Sequence, residues 1–219
     1  MGKLIVIEGL DGSGKATQTT MLHSWMADNG TPCKRLTFPN YTEDTSALVK
    51  MYLGGELGGL DEEGAYGASL FYTVDRYGSY LRHWRDDYNN GLVMLCDRYT
   101  TSNVAHQMSK LPPEQWDGYL DWLADLEYTR VGLPAPDRVV YLDMHPDTSR
   151  KLITSRYSGD ESRKDIHEAN LEYLLACRKA ALYGADRLGW QVIGCCNGSE
   201  PYPIEEIADR VRRAVQDIL

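Results

Sequence analysis

Residues Leu4 to Thr17 read LIVIEGLDGSGKAT, and this stretch decides how the rest of the chain is read. A short apolar run, mostly β-branched, ends at Glu8 and passes into glycines; Gln18–Asp28 then places Met21, Leu22, Trp25 and Met26 at helical spacing. That order is strand, turn, helix. Within the turn, Gly9, Leu10, Asp11, Gly12, Ser13, Gly14 and Lys15 satisfy G-x-x-x-x-G-K. Glycines let backbone N–H groups converge on a phosphate, the helix N-terminus adds partial positive charge, and the lysine reaches the outer phosphates. A merely structural turn with a solvent lysine would not require strand, spacing, lysine and helix to agree. The segment Gly9–Thr17 therefore predicts a nucleoside triphosphate site. Ala16 stands where a Ser or Thr hydroxyl usually reaches Mg2+, so Thr17, or waters held by carboxylates, must serve the ion.

Composition narrows the class. The chain has 219 residues, 42% hydrophobic and 25% charged, as expected of one globular domain spanning 1–219. No apolar run is long enough to cross a bilayer, and the first residues lack a signal-peptide pattern. Five cysteines without CxxC or zinc-ligand spacing read as reduced thiols, which predicts a cytoplasmic protein. A net charge of −9 argues against nucleic acid as a partner. Positive charge must then be local if the ligand is anionic.

Further strand-like runs at Arg35–Phe38, Leu92–Cys96, Val139–Leu142 and Gln191–Ile193 alternate with helical patterns near Ser46–Leu53, Glu62–Tyr88, Pro113–Thr129, Pro146–Arg156, Asp165–Leu188 and Pro203–Ile218. Alternation of this kind predicts an α/β fold with a five-stranded parallel sheet covered by helices on both faces. The run ending at Cys96 delivers Asp97 and Arg98 to the carboxyl edge of the sheet, where ligands gather. There an acid serves a metal shell or orients an acceptor, and an arginine grips phosphate. A structural Asp–Arg pair would explain those two residues equally well.

IEGLDGSGKATQ, CDRYTTSNVAHQ and PAPDRVVYLDMHPDTS, in this order and spacing, together with LFYTVDR at Leu70–Arg76, resemble the thymidylate kinases over nearly the whole chain. The resemblance implies the P-loop kinase fold, ATP with Mg2+ as phosphoryl donor, dTMP as acceptor and a homodimer. It implies that Tyr72 stacks on thymine, with Phe71 as the other aromatic candidate, and that Arg76 bonds the base O4. Asp11 would bind the deoxyribose 3′-hydroxyl, Asn103 and Gln107 would lie by the base, Arg98 would grip the phosphates, and Asp97 would sit by the metal. Phe38 matches a family phenylalanine. Tyr41 replaces a phosphate-binding arginine, leaving more to Arg98 and Lys50, and His106 replaces a tyrosine that helps exclude ribose.

Some relatives carry an arginine in the P-loop where this chain has Gly12, so the charge of phosphoryl transfer must be met from elsewhere. The basic, glycine-containing stretch around 156–165 resembles a lid, with Arg156 and Arg163 as catalytic candidates and Arg150 nearer the adenine. Asp165 and Glu168 read as helix-start carboxylates. Two rivals follow from the same residues: a deoxynucleoside or other nucleoside monophosphate kinase on this fold, and a P-loop regulatory ATPase, which would need no acceptor pocket.

Overall fold

A computed structural model describes residues 1–58, 64–198 and 200–219 except 157–170, and omits the side chains of 153–156. Five parallel strands form one sheet: β1 Leu4–Gly9, β2 Cys33–Thr37, β3 Val93–Asp97, β4 Arg138–Asp143 and β5 Gln191–Gly194, in the order β2-β3-β1-β4-β5. The central strand shows why an unbroken apolar run was needed. Leu4 and Val6 enter the core on one face, Ile5 and Ile7 the core on the other. Successive strand residues point to opposite faces, and here both faces are covered.

The described helices are α1 Lys15–Asp28, α2 Ala47–Leu53, α3 Gly64–Ser79, α4 Arg85–Asn89, α5 Thr101–His106, α6 Trp116–Ala124, α7 Pro146–Arg156, α8 Leu171–Leu188 and α9 Ile204–Val215. α1 and α9 cover one face through Leu22, Met26, Ile207 and Val211; α3, α5, α6 and α8 contribute to the other. Three boundaries depart from the sequence reading. The helix expected over Glu62–Tyr88 is interrupted by a π turn at Tyr80–Trp84, and the one over Pro113–Thr129 ends in a π turn at Asp125–Arg130. A wider turn keeps side chains on an approximate helical face, so periodicity conceals it. The third departure is α5, which was not expected at all. The expected start at Asp165 lies outside the described residues.

Strand order creates the site. The chain leaves β1 toward β2 and leaves β3 toward β4, on the opposite side of the sheet, so a crevice opens at their carboxyl ends. Register aligns what faces it. Ile7 pairs with Asp97, and Asp97 with Thr37, so Glu8, Arg98 and Phe38 follow side by side. Arg98 N–H donates to the Ile7 carbonyl and Phe38 N–H to the Asp97 carbonyl, both at 3.1 Å.

One wall of the crevice, α5, packs against α8 at Gly184, where an added Cβ would lie 2.4 Å from Val104 Cγ1. Gly184→Ala therefore pits overpacking, about 1–3 kcal/mol, against a helix-propensity gain of about 1 kcal/mol. A net loss is expected in urea unfolding. An unchanged or higher midpoint would contradict this close approach.

Candidate active site

The turn after β1 depends on glycine where φ is positive: Gly12 has φ 76° and Gly14, which caps α1, has φ 90°. This geometry brings Lys15 back over the loop. Its buried Nζ donates to the Leu10 carbonyl at 3.0 Å and stands 3.7 Å from Asp11 Oδ1. Burial holds the ammonium below its usual pKa, assisted by Arg98 and opposed by Asp11, Glu8 and Asp97.

Arg98 is the one non-glycine with positive φ, 66°, among the described residues. Such a conformation costs roughly 1–3 kcal/mol and persists only when its surroundings impose it. Here they do. Nη2 donates to Asp11 Oδ1 at 2.6 Å, and Nη1 donates to His106 Nε2 at 3.0 Å and Ser102 Oγ at 3.3 Å. Glu8 Oε1 lies 3.6 Å from Nη1. Burial alone would raise the Asp11 pKa, but Arg98 and Lys15 outweigh it and hold the carboxyl far below the usual range. Burial would lower Arg98, and Asp11 and Glu8 reverse that, leaving it above its ordinary value. The buried Glu8 is fixed in turn by the Gly9 N–H at 2.9 Å and by the hydroxyls of Thr101 and Ser102, both at 2.7 Å.

Of these groups, Asp11, Lys15, Arg98, Ser102 and His106 line a cleft of about 400 Å3. Asp11, Gly12, Gly14, Lys15, Ala16 and Thr17 of the first turn line it together with Phe38, Tyr41, Tyr72, Arg76, Asn103, His106 and Gln107, and Asp97 and Arg98 are also in the lining. Gly9, Leu10 and Ser13 complete the loop without lining the cleft, and Lys50 and Arg150 lie outside its lining. Arg156 ends α7; Arg163, Asp165 and Glu168 fall outside the described residues. Phe71 packs its ring 5.8 Å from Tyr52, whereas Tyr72 lines the cleft. Asn103 Nδ2, on α5, and Gln107 Oε1, on the residue that follows α5, are buried and lack a hydrogen-bond partner among the described residues. Such orphaned groups one turn apart on a cleft wall fit a ligand with its own donors and acceptors.

For a divalent ion the donor set fits a largely hydrated one. Asp97 and Thr17 line the cleft, and among the described residues no three His, Cys, Asp or Glu side chains cluster as ligands. Burial raises the Asp97 pKa against the pull of Lys15 and Arg98.

Glu8, Tyr173 and Glu127 are among the residues of this neighbourhood that sequence reading missed. Glu8 stood in view as the one charge closing an apolar strand. Tyr173, on α8, lines the cleft with its hydroxyl 3.2 Å from His106 Nδ1, and Glu127 bonds Arg76 from the π turn after α6. Both contacts join distant segments, so no local pattern announces them.

A family model described as Thymidylate kinase matches residues 7–197. The thymidylate kinase of Caenorhabditis elegans is 33% identical over 157 residues, 68% of this chain and 66% of that protein. The thymidylate kinase of Mycobacterium tuberculosis strain H37Rv is 31% identical over 199 residues, 87% of this chain and 91% of that protein. A solved thymidylate kinase from Candida albicans superposes with a TM-score of 0.69 at 20% identity, covering 99% of this chain and 92% of its own, a likeness of fold. The five-stranded parallel sheet, the loop ending in Lys15 and this breadth of sequence match agree: the chain belongs to the thymidylate kinase family.

Proposed function

We propose that this chain transfers the γ-phosphoryl group of ATP to the 5′-phosphate of dTMP, forming dTDP and ADP. The observation that carries the reading is the shared cleft. Residues of the phosphate-binding turn line one space with Asn103 and Gln107, each of which keeps a buried side-chain atom unpartnered among the described residues, and with Arg98. A regulatory ATPase has no use for the second half of that space.

In the proposed reaction an oxygen of the dTMP phosphate attacks the γ-phosphorus in line, a P–O bond forms, and the bond to the ADP oxygen breaks. Such a transfer needs positioning and charge more than covalent chemistry from the protein. Lys15 holds the outer phosphates of ATP. Arg98 takes the dTMP phosphate, which competes with Asp11 for the same guanidinium. Tyr72 offers a ring face to thymine, Arg76, Asn103 and Gln107 its polar edge, and Asp11 the 3′-hydroxyl. Phe38 packs 5.8 Å from the Tyr99 ring and helps shape the acceptor end, while Tyr41 and His106 border it. Mg2+, when bound, would neutralise phosphate oxygens, and Asp97 and Thr17 would hold its waters. With Gly12 in the loop, Arg156 and Arg163 are proposed to supply the remaining transition-state charge, and Arg150 to lie nearer the adenine.

The chain is further proposed to work as one domain, in the cytoplasm and as a homodimer. No helix among the described residues is long and apolar enough to cross a membrane, and all five cysteines are free. Tyr66, Leu70, Val74, Tyr77 and Leu81 are exposed along α3 and the turn after it, spaced four, four, three and four apart. A continuous apolar stripe on the helix that also carries Tyr72 and Arg76 is the surface a second copy would cover.

Side-by-side turnover with dTMP, dUMP, dCMP, AMP and thymidine tests the substrate, and dTMP should have the highest kcat/KM. Preference for thymidine would make the protein a nucleoside kinase. Lys15→Met should lose at least roughly a hundredfold in kcat with the fold intact; near-normal turnover would remove the loop from the mechanism. Sedimentation equilibrium should find a dimer that Leu70→Asp with Val74→Asp converts to a monomer, and a wild-type monomer would contradict the stripe's role.

A further inference from the structure

Arg76, which the reaction scheme gives to the base, is held in a buried ion pair whose other member, Glu127, lies outside the cleft lining and has no part in that scheme. Arg76, on α3, and Glu127, in the π turn Asp125–Arg130, are both almost wholly buried. Arg76 Nη2 donates to Glu127 Oε1, and Nε donates to Oε2 at 3.3 Å. Thr73 Oγ1, one helical turn earlier on α3, donates to the same Oε1 at 2.8 Å. The carboxylate is therefore fixed from two sides and grips the guanidinium as a fork meets a fork.

Counting donors shows what this leaves. An arginine has five N–H bonds. Glu127 takes two, and the Tyr99 carbonyl accepts a third from Nη1 at 3.4 Å. One N–H on Nη1 and one on Nη2 remain, and Arg76 lines the cleft. Charge points the same way. Burial acts to lower the Arg76 pKa, and Glu127 more than offsets it, so the guanidinium stays protonated while the pair is neutral overall. A lone buried guanidinium would draw an anion such as a phosphate; a neutralised one with two directed N–H groups suits an uncharged carbonyl edge.

The turn that bears Glu127 is also tied to the other side of the site. The next residue, Tyr128, shares a 2.6 Å hydrogen bond with Thr100 Oγ1, and Thr101 bonds Glu8. A π turn, uncommon and often found near functional sites, thus sets two consecutive side chains against the two segments that form the acceptor end.

We propose that Glu127, braced by Thr73, is the positioning residue for base recognition: it presents the two remaining N–H groups of Arg76 to the C4 carbonyl of thymine and cancels the charge that would otherwise attract phosphate there. The inference rests on Arg76 contacting the base. Cytosine carries an amino group at C4 where thymine carries a carbonyl, so the same presentation disfavours dCMP.

The test is steady-state kinetics of Glu127→Gln and Arg76→Ala with dTMP, dCMP and ATP varied in turn, alongside thermal unfolding. Glu127→Gln is expected to raise the KM for dTMP about tenfold, to leave the KM for ATP within about twofold, and to narrow the dTMP-to-dCMP ratio of kcat/KM. A purely structural pair would lower the melting temperature and the active fraction while leaving that ratio unchanged, which overturns the proposal. If Glu127→Gln does not fold, Glu127→Asp, which keeps the charge but withdraws it by one methylene, carries the same expectation and the same overturning result. A selective dTMP defect in Arg76→Ala without one in the Glu127 variant overturns positioning alone. No dTMP defect in Arg76→Ala overturns the base-contact reading and the positioning role together.

Discussion

The pairing of β1 with β3 is the constraint on which the site depends. Because Ile7 lies opposite Asp97, the residues that follow each strand emerge together, and Asp11 from one turn meets Arg98 from the other at 2.6 Å. A slip of one residue would invert the slipped strand's side chains between the two faces, disrupting both cores and shifting the loop away from the arginine. Burial of Ile5 and Ile7 on one face and Leu4 and Val6 on the other makes that slip costly. The energy that fixes the fold therefore also fixes the distance between the two halves of the cleft.

The second constraint is electrostatic. Lys15, Arg98 and Arg76 are all buried or nearly so, and none is left without a carboxylate: Asp11 and Glu8 serve the first two, Glu127 the third. Breaking such pairs by removing one partner commonly costs about 3–5 kcal/mol, since a buried charge is left uncompensated. The two arginines differ in what their partners permit. Asp11 is partly exposed at the cleft, so a phosphate can replace it on Arg98; Glu127 is sealed in the interior and stays with Arg76. One guanidinium is thus held ready for exchange with an anion, the other is fixed to read a neutral edge.

Much of this was legible in the sequence because it is local. The phosphate loop is spelled by glycines whose positive φ the turn requires, and Asp97-Arg98 follows an apolar strand that has to end at the sheet's carboxyl edge. The nine residues proposed for the acceptor, from Asp11 to Gln107, do line one cleft, though assigning each a contact with dTMP remains a proposal. Contacts between distant segments could not be read. Glu127 meets Arg76 across 51 positions, and it sits in a π turn that helical periodicity smooths over. Short α5 has too few residues to show a period of its own, although it carries Asn103 and His106. The arginines of 156–165 were singled out by charge around a glycine, and their side chains lie beyond the described ones.

The claim that donor and acceptor meet in one cleft is tested most directly by a crystal structure with dTMP and a non-hydrolysable ATP analogue. The account predicts the dTMP phosphate on Arg98, its base on Tyr72 with the C4 carbonyl at Arg76, and the γ-phosphate beside Lys15. Finding dTMP elsewhere, for instance in the separate cavity of about 370 Å3 bordered by Leu120, Tyr128 and Trp190, with Arg98 still bound only to Asp11, would contradict it.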